Sequence, residues 1–562
     1  PPPPPPPTPT NRLGAWVVML RGHDRYEFVS RVAQYHQIAN PLILPIAGAT
    51  FRNPQSTEVK ADYESNLGPL IHGMHPVVPD NGWHNTVAAF RKRCNYFNAG
   101  RASPFIIHSA MEFVREVCPK PLNTFEWTES LYQQWRAKFE PEKQQRMDKS
   151  LHTLPHARIQ QYSDKEIFVK VEALLVGHKP NWAPRVIFKG TDLYNAVSGP
   201  IMNELMRRFD ICLMGMQGGY QFRTSYKKTP EEYIPHVERR QDKDYWVEAD
   251  FSSNDKFQCS DVQLLECSLM RVLGCPEWFV RLHMKTNVFT VKNHKHGIKA
   301  KLENQLPTGA TDTTLRNTFW NGCILWAAMK KLKITNCRAM LMGDDMIACV
   351  NGESHYLVKV YTSVASEALM EAKVIRHNNL YQATFLSKVF VPSTYGYHMA
   401  IPLLGKAVGR FNARANKNQA VTDEGYMLGK AVGYAYEFRF YPTLRDIFLK
   451  RAATEAKHVK SQKQIGSDEI SWNARTAGVT LKNITSKINE HAKLGEFLSD
   501  DDFTAFCWER YQLLGCEIVS IFEEMVLIEG TDALYPISER KGKATKDITG
   551  INVQKLAQID FL

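Results

Sequence analysis

The sequence predicts an α+β fold, and three observations carry that reading. Between about Asp244 and Pro392, short apolar strands alternate with helical patterns. From Leu403 onward helical spacing dominates, for example at Leu444 to Ala456 and Asp502 to Ile528. The chain has 562 residues, 44% of them apolar. That is too long for one ordinary core and too apolar for a disordered chain, so two or three packed subdomains are expected.

The elements follow in chain order. Pro1 to Thr10 is nearly all proline and predicts an extended, unpacked tail. The chain opens on Pro1 rather than methionine and without a signal peptide, which suggests excision from a longer product. Leu13 to about Arg240 is mixed and rich in proline and basic residues, with no sustained repeat. The longest apolar run, Gln37 to Phe51, is interrupted by Pro41 and Pro45, so no bilayer-spanning helix is expected. Tyr245 to Ala249 is a short apolar strand ending in Asp250. Ser260-Asp261-Val262-Gln263 has a capping-box pattern. After it Val262, Leu265, Leu269 and Val272 recur at helical spacing until Gly274 and Pro276. His294 and His296 flank a lysine without further ligands nearby and predict a turn between strands rather than a metal site. Arg338 to Met342 and Met346 to Val350 are apolar strands around Gly343-Asp344-Asp345, closed by Asn351-Gly352. Together they predict a β-hairpin with carboxylates at its tip.

Formal net charge is +12, which fits a polyanionic partner: nucleic acid first, an acidic membrane surface second. The eleven cysteines are odd in number and form no C-x-x-C pair. This argues against a disulfide framework or a cysteine-rich zinc site and fits a reducing compartment.

Asp250 and Asp344 each end an apolar strand, and Asp345 follows directly. If those strands are neighbours, the carboxylates converge, and a cation is the usual answer to such repulsion. Hard oxygen ligands without His or Cys favour Mg²⁺. Two such ions clamp both sides of an in-line phosphoryl displacement. A lone Gly-Asp-Asp is also ordinary turn chemistry, so the reading depends on the company it keeps. Asp250-Phe251-Ser252-Ser253-Asn254-Asp255 pairs two aspartates. Thr308 to Asn317 opens a helix after the glycine turn at Gly309, with Thr313 and Asn317 one turn apart on a shared face. Upstream, Phe168-Val169-Lys170-Val171-Glu172 and Pro184-Arg185-Val186-Ile187 supply a basic pair. Downstream lie Ala372-Lys373-Val374 and Phe385-Leu386-Ser387-Lys388.

In that order, from about Phe168 to Val391, these segments resemble the RNA-dependent RNA polymerases of positive-strand RNA viruses, within them the noda-like and tombus-like group. The resemblance implies a right-hand fold of fingers, palm and thumb with an antiparallel palm sheet flanked by helices. It divides the chain into a tail (1–10), an N-terminal extension and fingers (11–240, motif F near 168–187), a palm with a fingers insertion near 275–305 (241–400, motifs A to E), and a mainly helical thumb (401–562). Asp250 and Asp255 match motif A, Thr308 to Asn317 motif B, Gly343 to Asp345 motif C, Lys373 the motif D lysine, and Phe385 to Lys388 the position of motif E. Lys170, Glu172 and Arg185 match motif F, with Lys179 as a further cation between its halves. By this resemblance Asp250 and Asp344 ligate the metals, with Asp345 close by. Lys170 and Arg185 face the incoming triphosphate, and Lys373 is the proton donor to pyrophosphate. Asp255 and Asn317, helped by Thr313 and the turn at Gly309, read the ribose 2′-hydroxyl. Motif B here begins Thr308-Gly309 where the family usually has Ser-Gly, and motif F is stretched by Leu174 to Ala183.

The implied cofactor is a pair of Mg²⁺ ions, for which Mn²⁺ can substitute. The implied partners are an RNA template and nascent strand, ribonucleoside triphosphates, and other viral replication proteins or an upstream region of the same polyprotein. The implied location is host cytoplasm at membrane-associated replication sites. Two other classes compete: a catalytically silent RNA-binding scaffold, which has no need of Asp250, Asp344 and Asp345 together, and a reverse transcriptase, disfavoured by Gly343 and Asn317.

Overall fold

The computed structural model describes residues 67–71, 79, 81–94, 98, 100–172, 183–352, 355–415, 419–465, 482–483, 486, 495–528, 530–537, 539–540, 547–548, 552, 555–556 and 560. The proline-rich segment 1–10 and the apolar run 37–51 lie outside them, as does Lys179.

The chain begins with β1 (Leu70–Ile71), α1 (Trp83–Arg93), α2 (Pro104–Val117), α3 (Glu129–Arg136), α4 (Pro141–Leu151) and α5 (Ile159–Ser163). Next come β2 (Lys165–Val169), β3 (Val186–Gly190), α6 (Asp192–Met214), β4 (Tyr220–Thr224), α7 (Pro230–Val237) and β5 (Tyr245–Phe251). Then follow α8 (Ser260–Val272), α9 (Glu277–Lys285), β6 (Val288–Asn293), β7 (Ile298–Glu303), α10 (Thr313–Lys331), β8 (Asn336–Met342) and β9 (Asp345–Asn351). The chain continues through α11 (Leu357–Glu367), β10 (Ala372–His377), β11 (Thr384–Phe385), β12 (Lys388–Pro392) and β13 (His398–Pro402). It closes with α12 (Leu404–Arg410), α13 (Asp423–Glu437), α14 (Pro442–Ala456), α15 (Asp500–Tyr511), α16 (Gly515–Val526) and β14 (Asp547–Ile548).

A five-stranded sheet, in the order β10-β5-β9-β8-β4, occupies the centre. Its pairs are antiparallel except β4–β8. The period-two pleat sorts its side chains. Val247, Ala249, Ala339, Leu341, Met346 and Ala348 pack into one large core with α2, α6, α8, α10 and α11. Trp246, Met340, Ile347 and Cys349 point the other way, onto Tyr233, Phe385, Phe390 and Ala400. Asp250 and Asp345 share the parity of this second face. Helix α10 is buried from Leu315 to Met329, its polar residues Arg316, Asn317, Thr318 and Asn321 included, so it is enclosed by protein rather than lying on its surface.

A four-stranded sheet, β3-β2-β6-β7, has its own core with Val87 and Phe90 of α1. Residues 275–305 thus supply α9 and two strands that join β2 and β3. The third sheet, β11-β12-β13, packs against the C-terminal helices, around Phe411, Phe438, Phe448 and Phe522.

Several local expectations meet their structure here. His294 and His296 lie in the turn joining β6 to β7. All eleven cysteines are free. Strand β5 does not end before Asp250 but runs through it to Phe251, because β10 pairs along its full length. The capping box at Ser260 does not form. Cys259 is the N-cap without a side-chain bond, and Asp261 instead takes a two-pronged bond from Arg101 (3.0 and 3.2 Å) and the Ala102 N–H (3.0 Å). The helical pattern from Asp502 to Ile528 is two helices, separated where Gln512 turns left-handed (φ 55°).

Candidate active site

The site is built first from three strand ends. The β8–β9 ladder closes at Met342 opposite Asp345, leaving Gly343 and Asp344 as a two-residue turn with Gly343 at φ 57°. Glu248 pairs with Ile347 across β5–β9. Continuing that register by two residues sets Asp250 across from Asp345, with Asp344 just beyond. Lys373 of β10 is the direct cross-strand partner of Asp250. The turn is braced from below by α10. Thr318 Oγ1 accepts the Gly343 N–H (2.9 Å), while Asn321 Nδ2 donates to the carbonyls of Gly343 (3.2 Å) and Asp345 (3.0 Å).

The two neighbouring aspartates differ. Asp345 accepts from the Met346 N–H (2.9 Å) and from the Leu386 N–H (2.7 Å), so both its oxygens have protein partners. Asp344 keeps its side chain accessible at the turn tip. Yet protein crowds it enough that desolvation is the largest cause raising its pKa, followed by the charges of Asp255 and Asp250. Burial likewise raises Asp250, with Lys373 opposing, and pushes Asp345 up to about 7, with Asp344 adding to the shift. Beyond burial, Asp344 is raised by neighbouring carboxylates, and Lys373 and Arg185 are the cations that oppose the charge of this cluster. The donors are carboxylate oxygens without His or Cys, a set that fits a hard divalent cation.

Beside them, Asp255 ties the loop after β5 to α10. Its Oδ1 accepts from Asn317 Nδ2 (3.0 Å) and Asn254 Nδ2 (3.2 Å), and its Oδ2 from the Thr308 hydroxyl (2.6 Å). Asn317 Oδ1 in turn accepts from Asn254 (2.9 Å) and Gln258 (2.5 Å). Thr308 therefore keeps the hydroxyl function of a serine at this position. Gly309 sits at φ 99°, where a Cβ would come within 3.0 Å of the Phe188 carbonyl oxygen. Only glycine lets the turn approach β3 so closely. Thr313 is not in this network: its hydroxyl donates to the Ala310 carbonyl (2.8 Å), closing the first turn of α10.

The third part is basic. Arg185 makes a two-pronged pair with Glu172, and Lys170 Nζ lies 3.5 Å from the same carboxylate. The Lys170 N–H donates to the Arg185 carbonyl (2.9 Å), which holds the two halves of the segment together. Burial resists the Glu172 charge, but the Arg185 hydrogen bond and charge overcome it and its pKa is lowered. Arg185 also feels Asp344, so the basic and acidic parts face one another.

Asp250, Asp255, Asp344, Asp345, Lys373, Arg185 and Asn317 are thus brought together, with Gly309 next to Thr308 in the turn that Asp255 holds and Lys170 joined to Arg185 through Glu172. Sequence reasoning missed Thr318, Asn321, Asn254 and Gln258. Thr318 and Asn321 lie one and four residues after Asn317, a spacing that does mark one helix face. Gln258 carried no local signal.

A second charged group lies behind α10. His283 Nε2 is 2.5 Å from Glu266 Oε1 and 3.4 Å from Asp312 Oδ2, all three buried, with buried Arg316 close by. Burial pushes Glu266 up to about 7. Burial also opposes the charges of His283 and Asp312, yet their mutual attraction wins, raising His283 and lowering Asp312. Three such ligands could hold a metal. The 2.5 Å separation is instead that of a hydrogen bond, and Arg316 already supplies a positive charge, so this is a compensated ion network.

Residues 42–427, more than two thirds of the chain, match the family described as RNA dependent RNA polymerase. The chain belongs to that family. A stretch of 104 residues, 18% of the chain, is 34% identical to the "RNA replication protein" of Citrus leprosis virus C (isolate Citrus sinesis/Brazil/Cordeiropolis/2003). The match covers 4% of that protein's length.

Proposed function

We propose that the chain copies RNA into RNA, joining ribonucleoside triphosphates on an RNA template, as the replicating enzyme of a positive-strand RNA virus. The observation that carries this is one cleft in which Asp250 and Asp344 converge beside the Asp255–Asn317 network and opposite Arg185. The central sheet with its helices is read as the palm (241–400), the four-stranded sheet and its surroundings as fingers (11–240 with 275–305), and the C-terminal helices as the thumb (401–562). The noda-like and tombus-like grouping rests on motif likeness alone.

Asp250 and Asp344, with Asp345 beside them, would hold two divalent cations, Mg²⁺ or its substitute Mn²⁺. Such ions supply a lowered pKa for an attacking hydroxyl and charge neutralisation at the leaving pyrophosphate. Lys170 and Arg185 bind the triphosphate with fixed positive charge already in place. Asp255 and Asn317 hold a polar pocket for the ribose 2′-hydroxyl, which disfavours a substrate lacking it. Lys373, held beside Asp250 by the β5–β10 ladder, carries the proton that pyrophosphate takes on leaving. Template and product are held largely through phosphates by a chain of net charge +12, so RNA binding weakens steeply with salt. Other viral replication proteins or an upstream region of a polyprotein complete the assembly, at cytoplasmic membrane sites. No helix among the described residues is long and apolar enough to cross a membrane.

Nucleotide incorporation on an RNA template with Mg²⁺ tests the reading. A wild-type chain that binds RNA but incorporates nothing across varied templates and metals would instead be a scaffold.

A further inference from the structure

Lysine is rarely buried without an acid beside it, yet Lys165 at the start of β2 is 4% exposed. Among the described residues its Nζ has no hydrogen-bond partner, and it lies 3.3 Å from the centre of the Tyr194 ring on α6. Ammonium and ring face are thus a cation–π pair cut off from water. Gly190 of β3, the cross-strand partner of Lys165, makes the room. A Cβ there would come 2.8 Å from Tyr194 Cδ1 and 3.3 Å from the Lys165 Nζ. Tyr162 of α5 backs Tyr194 edge-on, their ring centres 5.1 Å apart. A methionine would fill the same space without the cost of desolvating a charge, so packing does not account for a lysine here.

The far end of Tyr194 leads to the cleft. Its hydroxyl accepts the Thr311 N–H (3.1 Å) and lies 3.1 Å from Thr311 Oγ1, which donates to Ser198 Oγ (2.7 Å). Thr311 ends the turn that begins at Thr308, and the Thr308 hydroxyl donates to Asp255 (2.6 Å). From β3, the Phe188 N–H donates to the Thr308 carbonyl (3.2 Å). The turn is therefore seated on β3 at one end and on the Tyr194 hydroxyl at the other. Asp312, the next residue, enters the network of His283, Glu266 and Arg316.

We propose that Lys165 and Tyr194 are positioning residues for ribose selection: the ammonium fixes the phenol, the phenol holds the turn from Thr308 to Thr311, and the turn sets Thr308 on Asp255. This rests on the polymerase reading. The hold depends on pH. Burial lowers the Lys165 pKa to about 7, against the opposing charges of Asp312 and Asp164. Asp164 is itself paired with Lys292 of β6 (3.1 Å). Below that pH the ammonium grips the ring; above it the amine is neutral and the cation–π attraction is lost.

The test is the ratio of kcat/KM for a ribonucleotide and its deoxy analogue, followed across the Lys165 pKa of about 7. Steps that both substrates share cancel in this ratio, so it reports the pocket rather than the chemistry. Wild-type discrimination falls about three- to tenfold as the ammonium loses its proton, the worth of one desolvated cation–π contact. Lys165→Met has the lower ratio throughout, flat with pH. Tyr194→Phe, which keeps the ring and removes the hydroxyl, also lowers the ratio and flattens it. A pH-independent wild-type ratio overturns the proposal, as does a Lys165→Met chain that melts like wild type and keeps its ratio and slope. A slope that survives Lys165→Met and vanishes in Glu266→Gln assigns the titration to the network behind α10 and overturns the proposal equally. If Lys165→Met does not fold, Tyr194→Phe is read by the same criterion. Failure of the polymerase reading shows separately, as incorporation of neither nucleotide by the wild-type chain.

Discussion

Helix α10 has acidic groups on two sides, and they are treated oppositely. Toward the cleft, Asp250, Asp344 and Asp345 crowd together with raised pKa values and little neutralising charge. Behind the helix, Glu266 and Asp312 are more deeply buried, yet His283 and Arg316 compensate them. Burial alone therefore does not distinguish a working carboxylate from a structural one; compensation does. Of the cleft set, Asp344 is exposed at the turn tip and Asp250 is exposed near the end of β5. The compensated set joins α8, α9 and the start of α10, and so sets the helix that carries Thr318, Asn317 and Asn321 to the cleft.

That contrast can be broken at several points. The largest effect belongs to the open set: Asp250→Ala lowers the incorporation rate by at least about a thousandfold, equivalent to about 4 kcal/mol of transition-state stabilisation, while its melting temperature stays near wild type. Next is the closed set. Asp312→Ala leaves buried His283 and Arg316 with Glu266 alone of their two acids and lowers unfolding stability by about 3–5 kcal/mol, read from denaturant titration. A smaller effect falls on selectivity. Asn317→Ala relaxes ribose discrimination about tenfold to a hundredfold, the worth of one buried hydrogen-bonding partner, measured as the ratio of kcat/KM for ribo- and deoxynucleotides. Unchanged discrimination would remove Asn317 from that role.

The smallest effect is a pH slope. Glu266 keeps its proton up to about pH 7 in the folded chain but releases it near the ordinary value of 4.5 when unfolded. The folded state thus binds the extra proton between those values, so this contribution to stability is full below about pH 4.5 and is lost as pH rises through 7. Raised His283 acts in the same direction, its contribution full below 6.5 and lost above it. Lowered Asp312 acts oppositely and only at the acid end. Glu266→Gln should flatten the fall in melting temperature between pH 5.5 and 7.5; an unchanged slope would show that Glu266 does not carry it.

Much of the Gly343-Asp344-Asp345 hairpin was legible in the sequence because its signals are local: apolar strands, a Gly-Asp turn and Asn-Gly closure follow one another between Arg338 and Gly352. The end of β5 was misjudged because its extension to Phe251 depends on β10, more than a hundred residues away. Ser260 lost its expected cap role for a similar reason, since the Gln263 side chain that would complete the box donates to the His283 carbonyl (3.0 Å) on another helix. Thr313 has the spacing of a cleft residue, but its hydroxyl is satisfied within its own helical turn. The ion network behind α10 left no trace in spacing, because Glu266, His283 and Asp312 are far apart in sequence and meet only once three helices pack.

The central claim is that the open carboxylates do chemistry rather than hold the fold, and Asp344→Ala addresses it most directly, because Asp344 accepts no side-chain hydrogen bond from its surroundings among those described. Incorporation of ribonucleotides on an RNA template with Mg²⁺ is measured beside RNA binding and melting temperature. The account predicts lost incorporation with RNA binding and melting retained. Equal incorporation by Asp344→Ala and wild type would contradict it.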